Sequence, residues 1–121
     1  MQLYLLAADN GSFNAQNNIG TMYYFGRGVT QSYTKAFEWY KKAAEQDVGL
    51  AQFNLGDLYE QGQGVPQDYE KAFEWYKKAA DQGNQEASNR IGRLVMDNKI
   101  DDEGIIIYST EDTGLTLGDI E

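Results

Sequence analysis

The stretch KAFEWYKKAA runs from Lys35 to Ala44 and again, letter for letter, from Lys71 to Ala80, 36 residues later. Laying Ala15–Leu50 over Ala51–Glu86 without a gap extends the match to 21 identities in 36 positions. A third copy begins at Ala87 with ASNRIGRL, against AQNNIGTM and AQFNLGDL, and then the pattern stops. In the other direction, Tyr4, Ala7 and Ala8 stand one period before Tyr40, Ala43 and Ala44. Self-similarity at this period marks a repeat architecture, in which each unit buries its apolar face only against its neighbours. The expected organisation is a repeat domain over residues 1–97, followed by an acidic tail over 98–121. Within the domain fall a half unit (1–14), repeats 15–50 and 51–86, and a partial repeat 87–97.

Each unit reads as two helices. In the first, Ala51, Leu55, Leu58, Tyr59 and Gly62 recur at helical spacing. Gly20, Gly56 and Gly92 share one register inside it, where glycine costs about 1 kcal/mol relative to alanine, so a close helix–helix approach is expected there. Gly62-Gln63-Gly64-Val65-Pro66 ends the helix, Asp68 is the expected N-cap of the second, and Gln82-Gly83 closes it. Along the second helix Ala72, Phe73, Trp75, Tyr76, Ala79 and Ala80 form a band wide enough to pack on two sides. Glu38 with Lys42, and Glu74 with Lys78, are spaced for i,i+4 ion pairs on its outer side.

Composition narrows the chemistry. The chain has neither cysteine nor histidine, which removes disulfides, thiolate metal sites, a cysteine nucleophile and the usual general base. Its net charge of −9 divides unevenly, with −2 on residues 1–96 and −7 on 97–121. That sign argues against nucleic acid or an anionic membrane as partner. No apolar run reaches membrane-spanning length, and MQLYLLAADN lacks the basic start of a signal peptide, so a cytoplasmic setting is the expectation for the chain as given. No cofactor or metal is expected.

Three chemical readings give way to plainer ones. The turns GRGV (Gly26–Val29) and GQGV (Gly62–Val65) lack the third glycine or the GK[ST] of phosphate loops. The aromatics Phe37, Trp39, Tyr40, Phe73, Trp75 and Tyr76 lie at core spacing rather than as a base-stacking platform. Glu70 and Glu74 sit one turn apart on a lysine-rich face with nothing to desolvate them, which fits a solvated surface better than an acid–base pair.

The pattern A-x-x-x-[LI]-G-x-x-Y-x-x-G-x-G-V-x-x-x-Y-x-K-A-x-x-W-Y-x-K-A-A-x-Q, met in full by Ala15–Gln46 and Ala51–Gln82, resembles the Sel1-like repeat, a relative of the tetratricopeptide repeat. The resemblance covers residues 3–94 and implies an all-α, right-handed superhelical solenoid of antiparallel helix pairs, about two and a half to three repeats long. Departures are Thr30 for proline, Ser32 for the capping aspartate and Asp47 for the closing glycine, changes expected to loosen the first unit slightly. One branch of the family is cysteine-rich, and the missing cysteines set this chain outside it.

In superhelical helix pairs the first helices line the concave groove. Opposite their apolar positions lie Asn14, Asn17, Thr21 and Tyr24, then Leu50, Phe53, Asp57 and Glu60, then Glu86, Asn89, Arg93 and Met96. Composition there changes between units while packing positions stay fixed. Two readings stand beside each other: a mixed groove anchored by Tyr24, Leu50 and Phe53, or ordinary surface whose side chains pack under the next unit. Related tetratricopeptide modules that capture acidic C-termini use lysine and asparagine here, so Asp57 and Glu60 speak against such a clamp.

The tail offers three readings: a disordered acidic extension, a cap over the end of the stack, or a ligand docked in a groove of its own or another copy. The cluster Ile105, Ile106, Ile107 and Tyr108 would be an exposed apolar patch if free, which favours docking or capping of 105–108, while 113–121 are expected to be mobile. The function expected is a non-enzymatic interaction module or scaffold binding another protein or a peptide segment. The alternative is an inhibitor or immunity-type protein that blocks one enzyme. Weak end-to-end self-association is expected through Leu3–Tyr4 and Arg93–Met96.

Overall fold

A computed structural model describes residues 12–107. Five helices follow one another: α1 (Phe13–Phe25), α2 (Tyr33–Ala44), α3 (Gly49–Gln61), α4 (Tyr69–Asp81) and α5 (Gln85–Met96). Each packs on the next in sequence, giving an all-α repeat solenoid; no strand forms among the described residues. The half unit before Ser12, the self-association site at Leu3–Tyr4, and the tail from Tyr108 onward lie outside the described residues.

The second helices are capped as their sequences suggest. Asp68 accepts from the Lys71 amide at 3.0 Å, and Ser32 does the same for Lys35 at 3.1 Å, so serine fills the place of aspartate with its cap intact. The third substitution is also absorbed, because Asp47 takes the left-handed backbone (φ +63°) where Gly83 has φ +94°. A similar replacement ends α5. Gly26 and Gly62 close the other first helices in left-handed geometry, and Asn98, one period on, does so at φ +59°.

The core is a strip rather than a ball. Ala36, Tyr40, Ala43 and Ala44 of α2 meet Ala51, Leu55 and Leu58 of α3, and Ala72, Tyr76 and Ala79 of α4 meet Ala87 and Leu94 of α5. Alanines on the second helices let the helices close up, and one large ring per unit fills the remaining space. That ring explains the glycine register. A Cβ on Gly20 would stand 2.6 Å from the Tyr40 ring, and one on Gly56 would stand 2.7 Å from Tyr76. Gly92 departs from the expectation: nothing lies within 4 Å of a Cβ there, since no tyrosine-bearing second helix follows α5 among the described residues.

One further expectation needs correction. Lys42 and Lys78 do not reach for Glu38 and Glu74 but lie over the Trp39 and Trp75 rings, 4.3 and 4.6 Å from the centroids. An exposed i,i+4 ion pair is worth little, so the face of a ring competes with it even for an exposed lysine. The expected core role of the aromatics holds in two degrees: Tyr40 and Tyr76 are buried, while Phe37, Trp39, Phe73 and Trp75 are half-buried and pack against the core clusters.

After α5 the chain makes a small hairpin in place of another helix. Ile100 and Ile106 form an antiparallel bridge, the Asp101 amide donates to Ile105 O at 2.8 Å, and the Ile107 amide donates to Lys99 O at 3.2 Å. Ile100 is fully buried among Ala72, Tyr76, Ala79, Ala87 and Leu94, and Gly104 is pressed against the Phe73 ring. The residue that enters the core is thus Ile100. Within the cluster singled out from sequence, Ile105 and Ile107 stay exposed and Ile106 is half-buried in the bridge.

Candidate functional site

The first-helix surface contains two junctions between units, and they are built differently. At the junction of α3 and α5, charged groups fill the space. Arg90 pairs with Asp57 Oδ1 and stands 3.9 Å from Glu60 Oε1, while Arg93 lies 3.7 Å from Glu60 Oε2. The Tyr76 hydroxyl, at the tip of the buried ring, lies 2.6 Å from Asp57 Oδ1 and 2.7 Å from Glu60 Oε1, so one proton faces two carboxylates. Burial pushes the Tyr76 phenol far above its ordinary range, and the two acceptors push it further. Burial pulls the Arg90 guanidinium down, but Asp57, then Tyr76 and Glu60, together hold it above its usual value. Phe53 lies beneath this group, its ring 5.7 Å from Tyr76 and 5.4 Å from the Arg90 guanidinium.

Between α1 and α3 a cavity of about 340 Å³ remains open. Thr21, Tyr24 and Phe25 of α1 form one wall, Leu50, Asn54 and Asp57 of α3 the other, and Tyr40 of α2 the floor. Phe25 and Leu50 stand at its rim, each 55% exposed. The Tyr40 hydroxyl is 3.0 Å from Thr21 Oγ1. Burial pushes the Tyr40 phenol up to about 12, the Thr21 bond opposes this, and the charges of Tyr24 and Asp57 add smaller upward pushes. Tyr24 is fixed by the Tyr33 ring at 5.2 Å and donates its hydroxyl proton to Gln63 Oε1 at 3.1 Å.

The residues expected along the groove therefore divide. Thr21, Tyr24, Leu50 and Asp57 come together around the cavity. Asn17, expected to be exposed, is buried: its Oδ1 accepts from Asn54 Nδ2 at 3.1 Å, because α3 leans over that part of α1. Glu60 is likewise buried and is held within the Tyr76–arginine network rather than open to a partner. Phe53 packs under the next unit, as the second of the two sequence readings had it. Arg93 is half exposed but paired, and Asn89, exposed, accepts from Gln85 Nε2 at 3.2 Å. Asn14, Glu86 and Met96 are exposed.

Sequence reasoning overlooked Asn54, Arg90, Phe25 and the hydroxyl tips of Tyr40 and Tyr76. Asn18, Asn54 and Arg90 share one register that varies between units, and that variation was the available signal. Among the described residues no group of acids could hold a metal ion, and no helix is long and apolar enough to cross a membrane.

Helix pairs repeated at a fixed period, locked by a glycine–tyrosine contact, define a solenoid of the helix-repeat class. More narrowly, the Sel1 repeat family matches residues 1–12, 14–48 and 49–84, and the chain belongs to that family. Its fold is similar to that of c5321, a protective antigen of uropathogenic Escherichia coli, at 34% identity and a TM-score of 0.81. That match covers 88% of this chain but only 22% of the antigen, so the chain spans about a fifth of that relative. A Sel1 repeat protein from Oxalobacter formigenes is 45% identical with a TM-score of 0.72, and the Helicobacter pylori cysteine rich protein B is 26% identical at 0.70. Each of these two matches covers 74% of this chain and 67% of the other. No curated protein matches. Sel1 repeats are generally non-enzymatic scaffolds for binding other proteins.

Proposed function

We propose that the chain is a protein-interaction module that receives a peptide segment of another protein along the surface formed by α1, α3 and α5. The observation that carries this reading is the open junction between α1 and α3, with Phe25 and Leu50 exposed at its rim. Neither side chain serves the packing of the repeats, and an apolar rim around polar groups is the usual make-up of a recognition site. The walls belong to helices braced from behind by α2, so a partner meets a surface that needs little ordering.

The test is panning of a random peptide library against the immobilised full chain, with selected peptides measured against Leu50→Ser, Phe25→Ser and, as an outer-face control, Glu74→Ala. Peptides are expected to lose at least tenfold in affinity on either rim variant and to be indifferent to the control. Failure to enrich any sequence, or peptides insensitive to both rim changes, would contradict the proposal.

A further inference from the structure

The two junctions correspond residue for residue across the 36-residue period, and the open one lacks the side chain that fills its counterpart. Where the filled junction has Arg90, the open one has Asn54; for Phe53 it has Asn17, for Asp57 Thr21 and for Glu60 Tyr24, so the groups that hold Arg90 do not recur and any cation there must be met by others. Tyr40 stands in the place of Tyr76. In the filled junction the guanidinium of Arg90 lies on an aromatic ring and against carboxylates beside the tyrosine hydroxyl. In the open junction Asn54 is too short to repeat this and turns aside to Asn17, leaving the cavity before the Tyr40 hydroxyl.

One carboxylate still reaches that cavity. Asp57 Oδ1 is taken by Tyr76 and Arg90, while Oδ2 has no hydrogen-bond partner among the described residues, and the side chain remains 27% exposed on the cavity wall. Tyr24 and Phe25, edge to face at 4.8 Å, supply aromatic surface on the opposite wall, one face of Phe25 being covered by the chain's own Arg27 at 4.5 Å. Aromatic rings joined to a carboxylate suit a planar cation with an aliphatic stem.

We infer that the cavity between α1 and α3 is a subsite for a basic side chain, best an arginine, of the bound partner, with its stem on Leu50 and Phe25 and its head at Asp57 Oδ2. This rests on the interaction reading above and names the chemistry of the partner at one position. The partner's charge then steers it toward a molecule of net charge −9.

The test uses the ¹⁵N-labelled full chain titrated with N-acetyl-arginine amide, and in parallel with the citrulline analogue, its neutral isostere. Amide shifts at Thr21, Asn54 and Asp57 are expected to move saturably with the arginine probe, and at least tenfold more weakly with citrulline. Asp57→Asn should weaken the arginine probe about tenfold. Because that change also disturbs Arg90, a second variant, Asn54→Arg, supplies the guest from within and should abolish the response while raising the thermal midpoint. Equal response to both probes, no response up to 50 mM (about the weak end of any useful contact), or undiminished binding to Asn54→Arg would overturn the inference. If library peptides still depend on Leu50 and Phe25 while the arginine probe fails, the interaction reading stands and only the basic subsite falls.

Discussion

At the residue scale, the fold turns on glycine facing tyrosine. Gly56 sits under a Tyr76 ring that cannot retreat, since its hydroxyl is tied to Asp57 and Glu60. Gly56→Ala is therefore expected to destabilise by about 1–3 kcal/mol in urea denaturation, overpacking outweighing the gain in helix propensity. Gly92→Ala, in the same register with open space before it, should stabilise by up to about 1 kcal/mol. Opposite signs at equivalent positions would show that the ring, not the helix, demands glycine. The tyrosines also make an alkaline prediction. With the Tyr40 phenol at about 12 in the folded chain against 10 when unfolded, its contribution is fully present below pH 10. It is lost as pH rises from 10 to 12, by roughly 2–3 kcal/mol at the limit, and Tyr76 shifts in the same direction. A denaturant midpoint that holds below pH 9 and falls steeply above 10, less so in Tyr40→Phe, would agree. An unchanged midpoint at pH 11.5 would not.

At the scale of the element, the helices were legible because period, caps and glycine register all agree. The decapeptide fixes α2 and α4, and Ser32 and Asp68 start them where the sequence suggests. The hairpin after α5 was not legible as such. Its signal, three consecutive isoleucines, drew attention to residues 105–107, whereas backbone pairing turns Ile105 and Ile107 outward and the buried isoleucine is Ile100, isolated in an acidic stretch. Alternation along an extended chain decides which side chains face the helices, and that phase is set by the turn at Gly104. Ile100→Ala should cost about 2–5 kcal/mol, as for any fully buried aliphatic, while Ile105→Ser and Ile107→Ser should stay within about 0.5 kcal/mol. Comparable losses at Ile100 and Ile105 in thermal unfolding would mean that the hairpin packs by its other face.

At the scale of the whole molecule, identical packing positions build two unlike junctions from the residues left free to vary. One is stitched by Arg90, Arg93, Asp57 and Glu60 around Tyr76; the other stays open before Tyr40. Sequence comparison found the varying surface but could not say which side chains lean across to the next unit. Asn17 and Phe53 are covered by neighbours whose reach, Asn54 and Arg90, becomes apparent only when the units are stacked. The most direct measurement is the amide chemical-shift map of the full chain with and without a library-selected peptide. Shifts are expected to cluster on Thr21, Tyr24, Leu50 and Asn54 and to leave the outer faces of α2 and α4, at Glu38 and Glu74, in place. Shifts centred on those outer faces, with the α1–α3 junction unmoved, would contradict it.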